Sequence, residues 1–97
     1  MNMNQILKQA QAMQKDMMKT QEEVGKMTFT ASKDLVTVEV NGNRKVTKIT
    51  VSKDIDTDDI EMLEDMIMIA TNDALSQAEA EMEKRLGKYS KGMPGLF

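Results

Sequence analysis

From Met3 to Val24, apolar and small residues recur at alternating steps of three and four (Met3, Ile6, Ala10, Met13, Met17, Thr20, Val24), the signature of an amphipathic helix. Lys8, Lys15, Lys19 and Lys26 take the other side. At about 100° per residue, these lysines fall within about 40° of one another and about 180° from the apolar seam. A lone helix cannot bury such a seam, so either the rest of the chain or a second copy must cover it. The lysines form a ridge about 27 Å long, and a second copy would double it.

After Gly25 the period changes from helical to alternating. Met27, Phe29 and Ala31 alternate with Thr28, Thr30 and Ser32, and Val36, Val38 and Val40 alternate with Thr37 and Glu39. A third β-branched run covers Val46 to Val51, separated from the second by Asn41-Gly42-Asn43, a hairpin signal. The spacing predicts a three-stranded antiparallel meander. Asp58 and Glu61 then have capping-box spacing and predict a second helix from about Asp58 to Lys88. At about 45 Å this helix outruns strands of six to eight residues and must overhang the sheet. Its first half is apolar nearly all round, which predicts burial on more than one face. The fold class is α+β, ordered α-β-β-β-α with two long helices. Residues 1–88 read as a single domain, and 89–97 (YSKGMPGLF) as a flexible C-terminal tail.

A chain of 97 residues with only Phe29, Tyr89 and Phe97 as aromatics builds a modest core, so a core shared between two copies is expected. Met62, Met66 and Ile67 are the candidate dimer contacts, and most of the 11 methionines read as core filler. The net charge of −3 conceals a segregation along the chain. Residues 1–53 carry nine basic and five acidic side chains, 54–83 carry eleven acidic and none basic, and 84–97 carry four basic and none acidic. Binding to a polyanion follows local potential rather than the total, so the acidic sum is a weak veto. Lys84, Arg85, Lys88 and Lys91 form the second basic group, at the overhanging end of the second helix.

Several functions are excluded by residue type. Without cysteine or histidine, and without a glycine loop to cradle phosphate, the chain reads as no enzyme, with no small-molecule substrate, cofactor or metal. Asp54, Asp56, Asp58 and Asp65 imitate a calcium loop, but Asp59 stands where that loop needs glycine. The absence of a long apolar run argues against a membrane segment and for a soluble cytoplasmic protein. No aromatics are interleaved with the cations, so duplex is the better target than single strands. With only Arg44 and Arg85 as arginines, little sequence preference is expected.

Four blocks resemble, in order and spacing, the YbaB/EbfC family of small bacterial nucleoid-associated proteins. They are KQAQAMQKDM (8–17) with QEEV (21–24), VTVEVNGNRKVTKITV (36–51), LEDMIMIATNDAL (63–75) and GMPGLF (92–97). Ser32 to Leu35 departs from the glycine-rich turn that members often carry there. The resemblance implies an intertwined homodimer with paired sheets and projecting helices that binds double-stranded DNA with limited sequence preference, residues 1–88 being the DNA-binding and dimerisation domain. In that reading the protein is cytoplasmic and nucleoid-associated, acts in nucleoid organisation or gene regulation, and contacts phosphates through the two lysine-rich groups. The competing reading is a non-enzymatic adaptor that binds a protein through its methionine-rich or acidic helix surface.

Overall fold

The alternation in the second β-run sets the sheet: Val36, Val38 and Val40 are fully buried, while Thr37 and Glu39 on the opposite face are only half-buried. A computed structural model describes residues 2–92. Its elements are α1 (Met3–Gly25), β1 (Thr28–Lys33), β2 (Val36–Asn41), β3 (Val46–Val51) and α2 (Ile60–Gly92). The strands form an antiparallel sheet in the order β1-β2-β3. Phe29 pairs with Val40 and Ala31 with Val38, which puts β1's apolar residues on the same face as the valines. The other face is polar, with Ser32 and Thr37 hydroxyls 2.8 Å apart across the strands.

The meander holds, but its two turns work differently from the simple hairpin signal. Between β1 and β2, Asp34 takes a left-handed φ of 50°, a conformation that Asp tolerates better than most residues. Asp34 therefore serves where a glycine-rich turn would be the easier choice. Between β2 and β3 it is Arg44, at φ 62°, rather than Gly42 that turns left-handed. The Asn41 side chain accepts from the Asn43 and Lys45 amides at 2.9 and 3.2 Å and closes that loop. Gly42 serves packing instead. A Cβ there would lie 1.8 Å from the Val24 carbonyl oxygen, so the end of α1 seats directly on the hairpin.

One face of α2 lies against β1 and β2. Met66, Ala70, Ala74 and Ala78, spaced by four, form a small-residue stripe that lets the helix approach the valines closely. Phe29, Ala31, Ile55, Leu63, Ile67 and Leu75 pack around this core. Each fully buried valine contributes about 2 kcal/mol by leaving water. Past the sheet, α2 overhangs as expected and runs antiparallel to α1, and the molecule measures 70 × 21 × 13 Å.

Three expectations need correction. The second helix begins at Ile60, two residues later than the capping-box reading, because Asp59 rather than Asp58 caps it: the Met62 amide donates to Asp59 Oδ1 at 3.0 Å. Asp58 instead closes a turn through its own amide to Asp56 Oδ1. At the other end, α2 continues through Gly92 and Tyr89 is buried, so 89–92 are helix rather than tail, while 93–97 lie outside the described residues. The methionines are not mainly core filler within one chain. Among those described, Met66 is 3% exposed, but Met3, Met18, Met62 and Met68 are all largely open to solvent.

Candidate nucleic-acid interface

The interface is built on a two-helix arm. Asn2 caps α1, its side chain accepting from the Gln5 amide at 2.9 Å, and Lys26 ends the helix. Against α2, the seam of α1 is buried at Thr20 and Val24 and half-buried at Met13 and Met17. Tyr89 of α2 fastens the two helices. Its hydroxyl donates to Asp16 Oδ2 at 2.5 Å and lies 3.3 Å from Thr20 Oγ1. The single tyrosine proton is committed to the carboxylate, so the threonine hydroxyl is the donor in the second bond.

This fastening brings the two basic groups, about seventy positions apart in sequence, onto one arm. Lys88 Nζ stands 4.0 Å from Asp16 Oδ2 and 5.0 Å from the Tyr89 ring centroid, which places the α2 group beside the middle of α1. Around the α1 surface, Lys15 and Lys19 border a shallow open depression with Gln11, Gln14, Met18 and Glu22. Lys8, Lys15 and Lys19 make no ion pair among the described residues. Lys26, by contrast, pairs with Glu22 at 3.3 Å, and Arg85 with Glu81 at 3.1 Å. Both are i,i+4 pairs with much of their side chains in solvent, worth a few tenths of a kcal/mol, so an incoming phosphate can compete for either cation. Lys91 lies in the last turn of α2. The acidic segment 54–83 runs from the sheet's edge loop along α2, so acidic and basic charge separate along the long axis.

The candidate dimer residues separate. Met66 belongs to the protomer's own core and Ile67 flanks it, whereas Met62 is 53% exposed. Sequence periodicity missed a larger apolar surface. Ile49 pairs with Val38 and Val51 with Val36, so both lie on the sheet face that α2 packs against. Yet the helix covers β1 and β2, and Ile49 remains 47% exposed, with Val46 and Val51 similarly open. The signal was the alternation of β3 itself, but only the helix position shows that this half of the face is bare. Among the described residues, no cluster of histidine, cysteine and carboxylate side chains is placed to hold a metal ion. None of the described helices is long and apolar enough to cross a membrane.

A three-stranded sheet with one covered face and a projecting cationic helix pair defines a small α+β protein whose charged surface is its arm. Residues 1–93 match the YbaB/EbfC DNA-binding family, and the chain belongs to that family. It is 47% identical over 97 residues to a nucleoid-associated protein of Lactococcus lactis subsp. cremoris, covering 97% of this chain and 98% of that one. With a nucleoid-associated protein of Enterococcus faecalis it shares 43% identity over 98 residues, 98% and 94% of the two chains. The fold is also that of an uncharacterized protein from Helicobacter pylori, with a TM-score of 0.79 at 20% identity over 92% of this chain and 97% of the other.

Proposed function

We propose that this chain is a non-enzymatic, cytoplasmic, nucleoid-associated protein that binds duplex DNA through phosphate contacts with little regard to sequence, and acts in nucleoid organisation or gene regulation. The observation that carries the reading is the arm: Tyr89 holds the α2 basic group beside α1, away from the acidic segment, in a chain of the DNA-binding family. Lys8, Lys15 and Lys19 are the phosphate ligands that need break no ion pair, with Lys84, Arg85, Lys88 and Lys91 as the second set and Lys26 released from Glu22 on contact. Family membership favours this reading over a protein adaptor.

The working unit is a homodimer in which the second copy covers the bare β3 half of the sheet face, with Met62 and the flank at Ile67 contributing. Two copies present two arms to one duplex, which raises avidity where the spacing lets both engage. Titrations of duplex DNA at several salt concentrations test the phosphate contacts. Changing Lys15 and Lys19 to Gln should flatten the slope of log affinity against log salt by about 0.9 for each phosphate that is no longer neutralised, equally for unrelated sequences. Glu64→Gln, on the acidic segment, should leave the slope unchanged. Equal slopes for the wild type and the double lysine variant, with fold and dimer intact, would remove the ridge from the interface.

A further inference from the structure

The seam of α1 is one continuous 3-4 series, but α2 covers only part of it. Thr20 and Val24 are buried and Met13 and Met17 half-buried, whereas Met3 and Ile6 are 68% and 47% exposed and Ala10 is also open. Leu7 beside them is exposed as well. The change follows from where α2 stops. Tyr89 lies level with Asp16 and Thr20, so in an antiparallel pair Gly92 stands near the level of residue 14 of α1. From there to Met3 is about 16 Å of helix. Five residues follow Gly92 (Met93, Pro94, Gly95, Leu96, Phe97), and extended they reach about 16 Å. Pro94 cannot continue the α2 hydrogen-bond ladder, which favours a change to extended chain at this point.

We propose that residues 93–97 of this chain continue the line of α2 along α1 and dock Leu96 and Phe97 on the strip formed by Met3, Ile6, Leu7 and Ala10. Reach, direction and apolar chemistry agree, and the strip extends an interface already formed by the same two elements. The ridge stays free, since Lys8 lies on the opposite side of α1 from Ile6 and Ala10. The proposal does not depend on DNA binding, and its test contains no DNA.

The chain has no cysteine, so Gln5→Cys gives a single nitroxide site beside the strip without altering it. In the full-length protein, the amides of Leu96 and Phe97 should be strongly broadened when spin label and nitrogen-15 are on the same chain. Mixed samples, with label and isotope on different chains, should show no such broadening. Ile6→Gln keeps a good helix former but removes the apolar contact, and should relieve the broadening. Replacing Leu96 and Phe97 with Ser should raise amide exchange in residues 5–12 by about tenfold while residues 20–25 are unaffected. No broadening on the same chain overturns the proposal, as does broadening that survives Ile6→Gln. Broadening in the mixed samples assigns the strip to a second copy's tail and overturns it equally.

Discussion

Gly42 and Tyr89 set the geometry of the arm more than any lysine does. Gly42 admits the Val24 backbone where any Cβ would collide with it, and its amide donates to the Met27 carbonyl at 3.1 Å. The clash is with main chain, so no side-chain adjustment relieves it. Gly42→Ala should cost about 3 kcal/mol or more, read as a lower urea midpoint with an unchanged m-value. Gly25→Ala is the contrasting case, because its new methyl meets the Asn43 side chain, which can swing away. Tyr89 acts at the other end of the contact between α1 and α2. Tyr89→Phe keeps the ring and removes the bond to the Asp16 carboxylate, so it should cost about 1 kcal/mol in urea unfolding. Its larger effect should be on exchange of amides in the outer half of α2, where the fastening is local.

The helices differ in what holds them. The first half of α2 is held by its alanine stripe against the sheet, while the overhanging half depends on propensity and on α1. Gly87 lies in that overhanging half, and a Cβ there meets nothing within 4 Å. Gly87→Ala should therefore stabilise the protein by about 0.5–1 kcal/mol, visible as a rise in the thermal midpoint, with DNA affinity unchanged. The sheet has the opposite problem. β3 is an edge strand whose inner residues are apolar and open, and Lys48 on its outer face does little to guard it. A strand of this kind is kept from aggregation by a regular partner.

For the whole molecule, shape and charge support the same reading. A 70 Å chain with its acidic segment on the sheet side and its free lysines on the arm presents the arm to a polyanion and turns the other end away. The bare half of the sheet face belongs to the end that DNA does not need, so a second copy can occupy it without competing. Ile49→Asp should be tolerated within one chain, where the side chain already meets solvent, but in a dimer it would bury a charge. Sedimentation at micromolar concentration should show folded monomers for Ile49→Asp, and dimers for Thr50→Asp on the polar face. Equal sedimentation of the two variants would place the interface elsewhere.

The sequence alone determined the order of elements, the three strands and their inward residues, and the overhang of α2, because each depends on local period and length. It also marked the lysine side of α1, which follows from helical angle. Local signals were less reliable where two of them competed: four closely spaced aspartates could each cap α2, and tertiary position selected Asp59. The same holds for the tail, where Gly92 and Pro94 pointed to an early stop but burial of Tyr89 against α1 carries the helix to Gly92. Tertiary structure alone decided which apolar residues remain uncovered. Met66 and Ile49 are equally apolar in the sequence, yet α2 buries the first and leaves the second bare, because one helix is too narrow to cover three strands.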